Sequence, residues 1–245
     1  MSPRATLATA HRVLLQLRRD PRTLALLLAV PCLLMVILRY AFDGQPAAFA
    51  RVGPPLVGLL PFTTMFVVTS IAMLRERTSG TLERLMSMPV GKLDLLLGYA
   101  IAFGAVAAVQ VAAVAALTLG PLGLDVDRSP ALLVALALAD ALLGMALGLF
   151  VSAFATTEFQ AVQFMPAVVL PQFLLCGLFV ARDRMAGWLE VASDLLPLTY
   201  AYDALARATA PGALGGRFAV DVVVVVGVML GALALGALTM RRRSP

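Results

Sequence analysis

Long apolar runs alternate with short polar stretches along this chain. The runs fall at about 24–42, 52–74, 96–120, 131–154, 161–181 and 219–240. Each is close to the roughly 20 apolar residues an α-helix needs to cross a bilayer. In lipid the backbone must satisfy its own polar groups, which favours helices. The pattern therefore predicts an all-α polytopic membrane protein with six transmembrane helices, forming a single domain over residues 1–245. The runs consume most of the chain and leave no stretch for a sizeable soluble domain.

The polar stretches differ from one another. Residues 1–23 mix Leu7, Val13, Leu14 and Leu17 with His11, Arg12, Arg18 and Arg19. That composition suits a helix lying in the membrane interface, or a plain basic retention signal. The apolar run that follows is broken by Pro31 and ends at Arg39 without a small-x-small cleavage site, unlike a cleaved signal peptide. The densest polar island runs from Arg75 to Pro89. Gly80 is placed to cap a short helix, with Glu83 at its third position near the free backbone N–H groups. Leu82, Leu85 and Met86 then share a face, and Pro89 ends the helix. Charges flanking a span need no such pattern. An amphipathic helix here would lie on lipid or dock on a soluble partner.

Composition sharpens this picture. The chain is 61% hydrophobic and 13% charged, with a mean hydropathy of +0.93. Six spans would put both termini on one side. Placing that side in the cytoplasm assigns it 12 of the 19 basic residues, against 7 on the other, as retention of positive charge demands. The island then faces the cytoplasm too. The net charge of +5 is dispersed at run ends without interleaved aromatics, which fits topology and anionic lipid and not nucleic acid. No Gly-x-x-x-x-Gly-Lys-Ser/Thr loop occurs, so ATP hydrolysis is not expected of this chain. Cys32 and Cys176 lie within runs and read as packing residues. The single histidine, His11, makes no metal site. No catalytic residue and no bound cofactor are expected.

Within the runs, Gly144–Gly148 and Gly227–Gly231 each form a Gly-x-x-x-Gly motif that permits close helix contact. Asp140 sits mid-run and must face a cavity or find a partner. A proton relay would need further acids or histidines at that depth, so a carboxylate satisfied by a neighbouring helix is the favoured reading. The fifth run carries Gln163, Pro166, Pro171 and Gln172, more breaks than a plain packing helix needs. Carbonyls freed by its prolines require protein or water, which suggests a helix lining a pathway. From Arg182 to about Arg217, apolar and interface-favouring residues such as Trp188, Leu195 and Tyr200 alternate with charges. Two short re-entrant helices joined at Pro197, dipping into the outer leaflet, fit that pattern.

The motif Arg75-Glu76-Arg77, then Gly80-Thr81-Leu82-Glu83 and Pro89, resembles the permease subunits of type-2 ABC exporters, especially daunorubicin-resistance-type drug permeases. Glu158 followed by Gln163-Phe164 and Pro171, and Pro197-Leu198-Thr199-Tyr200, resemble that family's fifth span and the region before its last span. The resemblance implies a cytoplasmic coupling helix, with Glu76, Arg77, Gly80, Thr81, Leu82, Glu83, Leu85 and Pro89 meeting a separate nucleotide-binding ATPase subunit. It implies pathway lining by Gln163, Pro166, Pro171 and Gln172, and an outer gate at Trp188, Pro197 and Tyr200. A second permease subunit, identical or related, would complete the path, and ATP and Mg would bind in the ATPase partner. A hydrophobic or amphiphilic cargo (drug, antibiotic or lipid) is implied, with a lipid-linked glycan as the alternative within the family. A secondary transporter would show intramembrane charge pairs or repeated broken helices, and a membrane enzyme a convergent set of reactive groups. The sequence offers neither beyond Asp140.

Overall fold

A computed structural model describes residues 2–87, 91–126, 128–210 and 214–239. Among them the protein is built from helices, with no strand. They are α1 (Pro3–Arg18), α2 (Pro21–Ala41), α3 (Pro46–Thr78), α4 (Thr81–Ser87), α5 (Lys92–Leu119) and α6 (Pro130–Val151). The chain continues through α7 (Glu158–Phe164), α8 (Leu170–Leu175), α9 (Gly187–Asp194), α10 (Pro197–Thr209) and α11 (Gly215–Thr239). Proline stands at the first helical position of α1, α2, α3, α6 and α10, where its missing N–H costs nothing and its fixed φ suits the helix. Five helices are long and apolar enough to cross a membrane among the described residues: α2, α3, α5, α6 with its extension to Phe154, and α11.

The fifth apolar run differs from a simple span. Helix α7 passes into a π-helical turn over Met165–Val169 and then into α8. Pro166 and Pro171 supply the cause, since each withholds a donor from the helical ladder. The 18 residues of Glu158–Leu175 would span about 27 Å at ~1.5 Å each, slightly under a ~30 Å hydrocarbon core. Residues 176–181 are not helical.

The core is the α3–α6 contact. A Cβ on Gly144 would strike the Phe62 carbonyl oxygen, and one on Gly148 would strike the Phe66 carbonyl and the Thr69 hydroxyl. Thr69 Oγ1 sits at that crossing and donates to the Met145 carbonyl at 3.1 Å. The first glycine pair is therefore a true helix contact. The second meets no other helix among the described residues, since a Cβ on Gly227 or Gly231 would have nothing within 4 Å.

The proline inside α2 frees a carbonyl that another helix answers. Pro31 removes the N–H that would bond the Leu27 carbonyl. Gln110, fully buried on α5, replaces it: its Nε2 donates to Leu27 O and to Thr64 Oγ1, both at 2.7 Å. One amide thus joins α2, α3 and α5 in the apolar interior.

Candidate functional site: the α3–α4 corner and its supports

Helix α3 extends past its apolar stretch into Arg75, Glu76 and Arg77, then turns at Gly80 into α4. The turn needs glycine, because Gly80 has φ +71°, a left-handed conformation. The Gly80 carbonyl accepts from Arg84 N at 3.1 Å and starts the helix, with Glu83 at the third position. Leu82 and Met86 are buried against the protein's own core, Leu85 and Thr81 are half-buried, and Glu83, Arg84 and Ser87 are exposed. The face offered outward is therefore polar, and Leu82 anchors the helix from behind. Pro89 lies outside the described residues.

Glu76 also points inward. It is buried, and Arg12 of α1 donates to its carboxylate at 3.1 and 3.5 Å. The same guanidinium hydrogen-bonds the Tyr99 hydroxyl of α5 and lies 5.7 Å from that ring's centroid. One arginine therefore ties α1 to α3 and α5 directly behind the α3–α4 corner. Helix α1 can approach this closely because α5 has Gly98 there; a Cβ would sit 2.9 Å from the Thr6 carbonyl. The buried Asp94 carboxylate fixes the other end of α1, accepting from Ser2 N at 3.0 Å, and also from Gly91 N at 3.3 Å. The buried face of α1 is Thr6, Thr9, Ala10 and Val13; Leu7 and Leu14 are exposed. Sequence pattern identified the helix but not its packed face.

Arg75 reaches sideways to α7, donating to both Glu158 oxygens at 2.8 and 3.0 Å. This bond holds the Glu158 carboxyl below its usual range. Arg77 is half-buried, and its Nε and one terminal nitrogen have no partner among the described residues.

The expected pathway residues separate. Gln163, Pro166 and Pro171 are exposed along α7–α8. Gln172 is buried, so it does not line an open path in this arrangement. Its Oε1 accepts from Leu198 N, at 3.4 Å, in the first turn of α10, and its Nε2 donates to Val168 O at 3.0 Å. It fastens α10 to the fifth run.

Helices α9 and α10 meet at Pro197, and the Tyr200 hydroxyl donates back to Asp194 O at 2.8 Å. Trp188 is 73% exposed. Arg182 binds Ser193, Asp194 and Asp203, and Arg207 bridges Asp203 and the buried Asp221 of α11. Its Nε lies 3.2 Å from Asp221 without hydrogen-bond alignment. Burial raises the Asp203 pKa against the opposing pull of Arg182 and Arg207. Sequence reading missed this network and Asp221. The signal was present in the charges between 182 and 221, but their partners are set by folding. Asp140 is fully enclosed, and neither carboxylate oxygen has a hydrogen-bond partner among the described residues, so the expected polar neighbour is not seen. Room for it comes from Gly58, where a Cβ would lie 3.2 Å from Asp140 Oδ2.

Comparison with known proteins converges on one family. The chain is 24% identical over 152 residues to an ABC transporter G family member 20 of Dictyostelium discoideum. It is 26% identical over 150 residues to the probable multidrug ABC transporter permease YbhR of Escherichia coli K12. These stretches cover 62% and 61% of this chain, but only 21% and 41% of those relatives. The ABC-2 type transporter family model matches residues 4–208, from α1 through nearly all of α10. The chain belongs to the ABC-2 type transporter family of membrane proteins.

Proposed function

We propose that this protein is the membrane-spanning permease subunit of an ATP-driven exporter of the daunorubicin-resistance type. A separate nucleotide-binding subunit would dock beneath α4 and carry ATP and Mg, and a second permease subunit would complete the pathway. The observation that carries this reading is the α3–α4 corner: a short helix with a polar outward face, built on the end of a 33-residue helix and braced by Arg12, Glu76 and Tyr99. Such an element transmits motion as a rigid body. Glu83, Arg84 and Thr81 would meet the ATPase, and an acidic partner group would satisfy Arg77.

In this proposal α7–α8 forms a sixth crossing, so both termini and α4 lie in the cytoplasm of a cell that carries the protein in its plasma membrane. Gln163, Pro166 and Pro171 face a pathway completed by the second subunit. Helices α9 and α10 form the outer gate, with Trp188 in the outer interface and Tyr200 holding the α9–α10 joint. The cargo is hydrophobic or amphiphilic; YbhR is named as a probable multidrug permease. No step of chemistry belongs to this chain.

Cysteine labelling tests the arrangement in a background lacking Cys32 and Cys176. Ser79→Cys should react with an impermeant reagent only after the membrane is opened, and Gly187→Cys should react from outside. Outside labelling of Ser79→Cys, or labelling of both from one side, would refute it.

A further inference from the structure

A slot runs along α2 and changes character with depth. At one end a cavity of about 680 Å³ lies between α1, α3 and α5, bordered by Asp20, Arg75, Ser79 and Thr81. A second cavity of about 450 Å³ lies between α2 and α3, bordered by Val30, Leu34, Leu60 and Val67. Thr23 and Val68 line both, so the two adjoin at those residues. The Thr63 and Thr64 hydroxyls that border the second cavity donate to the Leu60 carbonyl of their own helix, leaving that end effectively apolar.

The dimensions match one lipid leaflet. From Asp20 to Leu34 is fourteen residues of α2, about 21 Å at ~1.5 Å per residue. Half of a ~40–45 Å bilayer, headgroups included, is the same depth. The second cavity, about 450 Å³, is lined almost wholly by apolar side chains, as an acyl chain requires. The rim carries both signs of charge: Asp20 caps α2 through Thr23, and Arg75 stands within electrostatic reach of it while bound to exposed Glu158.

We propose that this slot binds one zwitterionic phospholipid of the leaflet on the α1 side, with its headgroup at Asp20 and Arg75 and one acyl chain between α2 and α3. The phosphate faces Arg75 and the Ser79 and Thr81 hydroxyls, and the ammonium faces Asp20. Among the described residues that border the larger cavity Arg75 is the one cation, and an anionic headgroup would meet Asp20 there as repulsion. A purely cationic amphiphile would leave Arg75 unanswered by the ligand. The lipid fills a gap behind α2, whose apolar window is only 17% buried by the chain itself. Only the naming of the leaflet as cytoplasmic rests on the orientation proposed above.

The test uses the full chain in nanodiscs of phosphatidylglycerol with a trace of phosphatidylethanolamine carrying a diazirine in one acyl chain. After irradiation, labelled peptides are mapped by mass spectrometry, without ATP or transport, so failure here leaves the exporter reading standing. Labelling of residues 26–34 and 60–68 is expected to exceed that of α11 at least fivefold, and unlabelled phosphatidylethanolamine should displace it. Val30→Trp should reduce slot labelling at least fivefold and leave α11 unchanged. Asp20→Asn keeps a good helix cap and should lower the preference over phosphatidylglycerol at least threefold. Even labelling of α2, α3 and α11 would overturn the proposal. So would unchanged labelling in Val30→Trp, equal displacement by phosphatidylglycerol, or displacement by a single-chain cationic amphiphile at lower concentration than phosphatidylethanolamine.

Discussion

Glu76→Gln separates two roles that sequence alone confuses. The motif suggests a residue that touches the ATPase, whereas its carboxylate is buried on Arg12. Removing one partner of a fully buried ion pair costs about 3–5 kcal/mol, because the other charge is stranded. The side chains here are 29% exposed for Arg12 and 10% for Glu76, so some water reaches the guanidinium. Glutamine also retains one acceptor for it. Both facts lower the cost, to about 2–3 kcal/mol, within the range for a hydrogen bond to a charged group. Arg12→Gln should cost a similar amount, and the double variant less than the sum, with a coupling of about 1–2 kcal/mol. The assay is thermal or denaturant unfolding of the isolated subunit in detergent, run as a double-mutant cycle, beside capture of the co-purifying ATPase at a temperature where all variants stay folded. If Glu76→Gln leaves the isolated subunit's stability unchanged but abolishes ATPase capture, the residue is a docking contact and the bracing argument fails.

Gly148→Leu should destabilise by more than about 3 kcal/mol, as an overpacked contact against backbone that cannot move, while Gly231→Leu should change stability by under about 0.5 kcal/mol; similar effects at both sites would mean that α6 does not meet α3 as described. Gln110→Leu should cost about 1–3 kcal/mol by stranding the Leu27 carbonyl, and much less in a Pro31→Ala background, where the helix supplies its own N–H; an equal cost in both backgrounds would show that Gln110 does not serve that carbonyl. The Arg75–Glu158 bond holds the folded glutamate below its usual 4.5, so its contribution is present above that value and is lost as pH falls below it through the depressed folded value. Hydrogen exchange at the start of α7 should rise over that window in the wild type and stay flat in Glu158→Gln; a flat wild-type profile would remove this bond from the structure's supports.

Elements written in short-range pattern were legible in the sequence. Apolar runs located the long helices. Gly80 and Glu83 located α4 because both act on the same turn, and Pro197 marked the joint of α9 and α10. What escaped depends on partners distant in the chain. Arg12 lies 64 residues from Glu76 and 87 from Tyr99, and no local period links them. The two Gly-x-x-x-Gly pairs look alike in sequence, and only the presence of α3 against one of them distinguishes their roles. Gln172 read as a lining residue because a polar group in an apolar run must be satisfied somewhere. The backbone of α10 satisfies it, and a tertiary contact of that kind leaves no trace in composition. Asp140 was recognised as exceptional, but the room that Gly58 leaves for it could not be read from its own neighbours in the chain.

The central claim is that the polar face of α4 docks an ATPase subunit. A photo-cross-linking amino acid at Glu83, which is exposed, tests it most directly in native membranes, with the same group at Trp188 as the control on the opposite end. A cross-linked ATP-binding protein is expected from the Glu83 position and none from Trp188. Cross-linking of that protein from Trp188, or lipid and no protein from Glu83, would contradict the claim.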